Sequence, residues 1–302
     1  MNPHFEKPIE KLVIIGVGLI GGSAALALRE GRHVKKIVGV GRSLHNLEIA
    51  LNRQIIDEIE TNLLTAIRGA EVVLITTPVR KIGEILAQLN AQCDPHTLII
   101  DAGSTKQNII HDAKEFLPTQ IGQFVPCHPI AGAEKSGAEA AYASLFQKRH
   151  VIITPLFENA PEMIQRAHAF WEQCGASVTS MSAEKHDEIF AAVSHLPHLL
   201  AFSFMETVGQ SPNRDDYFHF AGTGFRDFTR IAGSHPEMWR DIVLSNREFI
   251  LAGLNAYRQT LCNIQDLIET RDSEAIVQFF NHAQTAHQEF MHQHISPCRS
   301  SE

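Results

Sequence analysis

Cysteine is scarce in this chain. Cys93, Cys127, Cys174, Cys262 and Cys298 are five in 302 residues, scattered and with no CxxC pair. An odd, dispersed set excludes a disulfide framework and a zinc knuckle and points to a reducing, cytoplasmic setting. Positive charge is also in short supply. Against 34 Asp and Glu stand 26 Lys and Arg, a net charge of −8. A general phosphate-backbone binder needs a basic face, so nucleic acid is excluded as a partner. A small anion is not, because a few placed arginines outweigh the global field locally. The chain also does not open on a membrane-length hydrophobic run. Leu12 to Leu28 carries no charge, but it is shorter than the roughly 20 residues a spanning helix needs. It also contains Gly16, Gly18, Gly21 and Gly22. Glu6, Lys7, Glu10 and Lys11 ahead of it sum to zero charge, whereas a secretory signal needs a positive flank. What remains is ordinary globular composition, 44% hydrophobic and 20% charged, in a length that predicts two domains.

The uncharged run splits in two. Lys11 to Ile15 reads as a strand buried on both faces. Gly16-Val17-Gly18-Leu19-Ile20-Gly21 follows, and Ser23 to Glu30 is helix-forming. Strand, glycine turn and helix give a GxGxxG pattern its meaning. Gly16 permits the tight turn, Gly18 leaves room for a pyrophosphate, and Gly21 lets helix and strand pack closely. Leu19 and Ile20 open the helix whose N-terminus faces the phosphates. Further strands read at Lys36–Val40, Val72–Thr76, Thr97–Ile100, Phe124–Val125, Val151–Thr154 and Ala176–Ser180, with helical material between them. The alternation predicts an α/β fold of Rossmann type, a doubly wound, mostly parallel sheet. Ligands in such sheets bind at the carboxyl ends of the strands, which brings in Thr77 and Pro78 as cofactor neighbours.

After Ser182 no strand pattern recurs. Ser182–Val208 reads as one long helix, capped by Ser182 and kinked at Pro197. Pro236–Glu269 and Asp272–His292 read as long amphipathic helices. The expected division is a dinucleotide-binding domain over 1–181 and an all-helical domain over 182–302. The latter cannot easily hide its apolar faces alone, which predicts a homodimer.

The second strand ends in Gly39-Val40-Gly41-Arg42-Ser43, with no acid before Glu48. The carboxylate that would bond the adenosine ribose of NAD is missing. Arg42 offers a guanidinium and Ser43 a hydroxyl to a 2′-phosphate, which favours NADP over NAD. Arg42 stacking on the adenine, with both cofactors accepted, is the other reading.

Four further segments carry Ser, His or Arg on glycine-rich turns or a helix: Asp101–Lys106, Cys127–Gly137, Val193–His198 and Gly222–Arg230. With the glycine turn they resemble the prephenate/arogenate dehydrogenase family over nearly the whole chain. The HPxxGxEKSG stretch from His128 and the GFRDFTR stretch ending at Arg230 are the specific parts. That resemblance implies oxidative decarboxylation on the tyrosine pathway, of prephenate to 4-hydroxyphenylpyruvate or of arogenate to tyrosine. A neutral imidazole is the natural acceptor for the ring hydroxyl's proton as hydride leaves. His128 matches the family's catalytic histidine and Ser104 its serine beside that hydroxyl. Arg230 matches the substrate-carboxylate arginine and His198 the active-site histidine. His195, one turn before it, is as readily structural. Glu134 and Asp227 resemble acids that orient the arginine and gate the pocket. Trp239 resembles a substrate-pocket tryptophan, and keto-versus-amino discrimination is expected near Thr223.

Competing readings have their own marks. A dehydrogenase of the 3-hydroxyacid type would use a lysine on the long helix, where only Lys185 stands, in the first turn. A nucleotide sensor would lack the base. Cys127 next to His128 invites a thiol nucleophile, but neighbours on an extended segment face opposite ways. Arg226 reads as an ion-pair partner of Asp227 or Glu134, and the C-terminal histidines as a solvated helix face. No stretch resembling a chorismate mutase or a regulatory domain is present, so tyrosine inhibition is expected at the active site, by competition.

Overall fold

A computed structural model describes residues 7–133 and 135–295, with side chains up to His292. Nine strands and thirteen α-helices are found among these residues. The strands are β1 (Ile9–Ile15), β2 (Val34–Val40), β3 (Glu58–Glu60), β4 (Val72–Ile75), β5 (Leu98–Asp101), β6 (Phe124–Val125), β7 (Cys127–Pro129), β8 (His150–Ile153) and β9 (Ser177–Ser180). Helices α1 (Leu19–Glu30), α2 (Leu44–Asn52), α3 (Leu63–Ile67), α4 (Val79–Leu89), α5 (Gln107–Phe116) and α6 (Pro161–Gln173) alternate with them. Seven follow the last strand: α7 (Ala183–Phe190), α8 (Leu196–Gly209), α9 (Arg214–His219), α10 (Thr223–Thr229), α11 (Pro236–Ser245), α12 (Arg247–Glu269) and α13 (Ser273–Ile295).

The main sheet is wholly parallel, in the order β3-β2-β1-β4-β5-β6. Its central strands are apolar on both faces because helices cover both. In β1 the period of two sends Leu12 and Ile14 into one core, with Ala24, Leu28, Phe170 and Trp171. Val13 and Ile15 enter the other, with Val38, Ile82 and Ile109. Strand order reverses at β1, which lies between β2 and β4, and the crevice at their carboxyl ends is where such sheets take ligands.

Several elements depart from the sequence reading. Val151–Thr154 and Ala176–Ser180 do not join the main sheet. As β8 and β9 they form a second sheet with β7, antiparallel between β7 and β8 and parallel between β8 and β9. The reason lies at Pro126, between β6 and β7. It has no N–H for the ladder, so pairing with β5 stops there. His128 therefore lies inside strand β7 rather than beyond a strand end. The short strand β3 was not expected. The long helix from Ala183 is disturbed ahead of Pro197 rather than at it. Ala191–His195 form a π-turn, because Pro197 offers no N–H to the carbonyl four residues back and the ladder slips. Pro236–Glu269 is broken into α11 and α12 at Asn246, whose side chain turns inward.

By length and composition, Ala183–Gly209 is apolar enough to cross a membrane, at a mean hydropathy of 1.3. It instead carries buried polar side chains, His186, Asp187 and His195. The chain divides into two compact units, Met1–Ile250 and Leu251–Glu302. The second holds most of α12 and all of α13. Its Leu261, Ile268, Val277, Phe280 and Phe290 are exposed.

Candidate functional site

The turn after β1 has the geometry a dinucleotide requires. Gly16 has φ +96°, and a Cβ there would lie 2.9 Å from the Thr76 carbonyl oxygen. A Cβ on Gly21 would meet Thr76 Oγ1 at 2.6 Å and Ile14 Cγ2 at 2.7 Å, so only glycine lets α1 pack this closely. Gly18 faces open space. It caps α1 without a side chain, and the first turn, with Leu19 and Ile20, holds no acid. The helix N-terminus thus keeps free N–H groups and its positive end. Across the crevice, Thr77 Oγ1 is buried without a partner among the described residues, beside Pro78, the N-cap of α4. An orphaned hydroxyl and the open face of Gly18 fit a bound dinucleotide.

Arg42 follows β2, exposed, with no hydrogen bond or ion pair among the described residues. Ser43 caps α2, its Oγ accepting from Asn46 N at 3.2 Å. Asn46 ties this turn down, donating to the Val17 carbonyl at 2.6 Å and accepting from Ala138 N at 2.9 Å. The acid registered opposite the end of β2 is Glu60. Its Oε1 already accepts from the backbone N–H groups of Thr61 and Asn62.

A buried ion pair fixes the end of β5. Lys106 and Asp101 are both fully buried, 2.6 Å apart. Asp101 also accepts from Gly103 N and Cys127 N, and Lys106 Nζ donates to the Cys127 carbonyl at 2.6 Å. Both backbone polar groups of Cys127 are thereby claimed, and the strand that carries His128 is clamped to the segment that carries Ser104. Cys127 itself is buried and its thiol is pushed far up by burial, which removes it as a nucleophile.

His128 Nδ1 lies 2.7 Å from His186 Nε2, and His186 Nδ1 lies 2.8 Å from Asp187 Oδ1. Phe190 walls the two rings, at centroid distances of 4.9 and 4.5 Å. Burial, then His186, Lys106 and His195, hold His128 well below the usual imidazole range, so it stays neutral at pH 7. Burial lowers His186 as well, against the pull of Asp187. Burial alone would raise the Asp187 carboxyl, but bonds from His186 and from the backbone of Gln107 and Lys106 hold it below normal.

His195 is buried and lowered to about 4, chiefly by burial. Its Nδ1 faces Asn246 Nδ2 at 3.0 Å, while that same amide donates to the Asp187 carbonyl at 2.8 Å. His128 and the segment just after Ser104 are tied into one hydrogen-bonded network through His186 and Asp187, and Asn246 joins His195 to it. His198 bonds the Ser194 carbonyl at 2.9 Å and stacks on Trp239 at 3.8 Å. Burial lowers His198, and Arg230 adds to the effect. Arg230 follows α10 and, like Thr223 and Asp227 on that helix, is exposed. The pairing expected of Arg226 with Asp227 does not form: neither they nor Arg230 makes an ion pair among the described residues. Glu134 lies outside the described residues.

The sequence reading missed His186, Asp187 and Asn246 and gave Asp101 and Lys106 no role. His186 and Asp187 carried little signal, since they stand among Glu184, Lys185 and Glu188 in the charged first turns of α7. Asn246 carried none, since it sits within what reads as a continuous helix. Lys185, the mark of the rival 3-hydroxyacid reading, pairs with Glu188 at the surface at 2.8 Å.

Comparison with known proteins places relatives beside this geometry. The family model for the prephenate dehydrogenase nucleotide-binding domain matches residues 24–180, and that for the prephenate dehydrogenase dimerization domain matches 182–282. The prephenate dehydrogenase of Bacillus subtilis is 35% identical over 91% of this chain and 74% of its own length. The cyclohexadienyl dehydrogenase of Zymomonas mobilis is 32% identical over 91% of this chain and 94% of its own. The crystal structure of prephenate dehydrogenase from A. aeolicus with hydroxyphenyl propionate and NAD+ is 33% identical, with a TM-score of 0.87 over 94% of this chain and 99% of that one.

Proposed function

This chain belongs to the prephenate dehydrogenase family, and on that premise we propose how its residues carry the reaction. It is an NAD(P)-dependent dehydrogenase of the oxidative decarboxylation of prephenate, arogenate or both. The observation that carries the assignment of the base is the neutral, hydrogen-bonded His128 on β7, in one network with the segment just after Ser104.

The bound nicotinamide supplies the hydride acceptor. His128 takes the proton of the ring hydroxyl through Nε2, the ring nitrogen not engaged by His186. Ser104, whose hydroxyl has no partner among the described residues, orients that hydroxyl. Arg230 binds a substrate carboxylate through its fork, with His198, Trp239 and Asp227 shaping the pocket around it. Glu134 is assigned with Asp227 as a gating acid, His195 supports the site through Asn246, and Thr223 stands where keto and amino side chains would be told apart. Aromatisation of the ring drives loss of CO2, so the protein needs to supply binding, orientation and one base.

Arg42, unpaired at the end of β2 and without a competing carboxylate, supports NADP as the preferred cofactor, with NAD the alternative. Four free cysteines among the described residues, three of them buried, support a reducing, cytoplasmic location. The exposed apolar side chains of α12 and α13, with the dimerization-domain match, support a homodimer. Tyrosine keeps a carboxylate and the six-membered ring, so it is assigned as a competitive inhibitor at this site.

Steady-state kinetics with both substrates and both cofactors tests the reading. His128→Asn should lower kcat by roughly 10²–10⁴-fold while cofactor affinity stays near that of the unaltered chain. Turnover that survives this change removes His128 as the base. Arg42→Ala should raise the KM for NADP more than that for NAD, and an equal effect on both removes the 2′-phosphate role.

A further inference from the structure

We infer that His186 and Asp187 act as positioning residues that lock His128 in the tautomer with a bare Nε2, the form able to accept the substrate's proton. The inference rests on the reading of His128 as the base and adds to it the device that readies the base.

The chain of reasoning starts at the carboxylate. Asp187 Oδ1 accepts from the Lys106 backbone N–H at 2.8 Å and Oδ2 from the Gln107 N–H at 2.9 Å. Both partners are pure donors, so the carboxyl group is ionised and acts only as an acceptor. His186 Nδ1, 2.8 Å from Oδ1, must then carry its hydrogen. A neutral imidazole has one N–H, so His186 Nε2 is bare. It stands 2.7 Å from His128 Nδ1. Two bare nitrogens do not approach so closely, so His128 Nδ1 carries the hydrogen and donates. The one nitrogen left on His128 is Nε2, and it is bare. The opposite assignment would need a protonated His186. The Phe190 ring walls both imidazoles, which disfavours a charged ring and keeps out a water that would exchange the roles.

The same anchor serves both halves of the site. Asn246 Nδ2 donates one hydrogen to the Asp187 carbonyl and points the other at His195 Nδ1. Nδ1 of His195 is therefore the acceptor, and its hydrogen sits on Nε2. When the substrate's O–H bond breaks, the new N–H forms on His128 Nε2. The positive charge then lies at the head of a chain that ends in the Asp187 carboxylate, and the proton leaves later to solvent.

The first test reads the tautomer directly. The full-length chain, labelled with 15N in histidine, should show His128 with a protonated Nδ1 and a bare Nε2, assigned by the signals lost in His128→Asn. A protonated Nε2 overturns the inference, whatever the activity of the variants. The second test is kinetic. His186→Leu removes the acceptor and should lower kcat about 10²-fold with the KM for the cofactor unchanged. His186→Gln keeps an acceptor oxygen near the place of Nε2 and should recover most of that loss. Equal kcat in the unaltered chain and His186→Leu, or equal loss in both variants, overturns the inference. Should the leucine variant fail to fold, the spectrum of the unaltered chain still decides. Failure of the base reading itself would appear elsewhere, as turnover surviving in His128→Asn.

Discussion

The glycine turn follows the carboxyl end of β1 and the histidine cluster is assembled around β7, and the two are built in opposite ways. The turn at Gly16–Gly21 needs six consecutive residues and little beyond them but Thr76 on the neighbouring strand's end. Its constraints are steric and local: a positive φ, a near contact with Thr76, an open face at Gly18. The histidine cluster draws on β5, β7, α7, the π-turn and the break after α11. Its constraints are electrostatic and long-range: a buried lysine, an ionised aspartate, and neutral imidazoles kept so by burial. A local device tolerates change elsewhere in the chain. A dispersed one depends on every element that carries a piece of it.

That contrast predicts where the protein breaks most easily. The largest effect is expected at Lys106→Met. It leaves the Asp101 carboxylate buried without its counter-charge and frees the Cys127 carbonyl, which should cost about 3–5 kcal/mol in urea unfolding. The double change Asp101→Leu with Lys106→Met should cost less than the single one, because the uncompensated charge is gone. A single change worth under about 1 kcal/mol would show that the clamp does not hold the cluster.

Acid should rival it, acting most strongly on the cluster, where several buried histidines add up. His128, His186 and His195 have folded pKa values below their unfolded value near 6.5. As pH falls past 6.5 the unfolded chain takes up protons that the folded chain refuses, so stability falls. The loss per histidine is about 1.4 kcal/mol per pH unit until its folded value is reached, about 4 for His195. The depressed Asp187 adds a loss in the same direction at still lower pH. Urea unfolding at pH 7.5 and 5 measures it, and equal stability at the two would contradict the buried, neutral state of these rings.

The smallest effects belong to the turn and separate its two glycines. Gly16→Ala forces a side chain into a positive φ against a backbone oxygen and should cost about 1–3 kcal/mol. Gly18→Ala meets open space at a negative φ and should leave stability within about 0.5 kcal/mol. Its loss should appear instead as weaker dinucleotide binding by titration. If Gly18→Ala binds cofactor normally, the open face is not the phosphate site.

The same division governs how far the sequence could be read. The strands of the main sheet other than the edge strand β3 were legible because a parallel sheet covered on both faces demands unbroken apolar runs such as Val72–Ile75 and Leu98–Ile100. The second sheet was not, because β7 is only three residues and its separation turns on one missing N–H at Pro126. His128 and Arg230 stood out through their motifs. Arg42 stood out by what its neighbourhood lacks. His186 and Asp187 passed as helix residues, and Asn246 was hidden in a run of helix formers.

By itself the sequence determined the α/β class, the glycine turn and the family, and it singled out His128. Each rests on adjacent residues or on a periodicity, which are properties of the chain as written. Only the tertiary structure decided which groups face the ring nitrogens of His128 and which side chains join it to the segment after Ser104. A tautomer depends on which donors and acceptors meet in space. Here those partners lie 58 to 81 positions apart along the chain, and only folding brings them within a hydrogen bond's length.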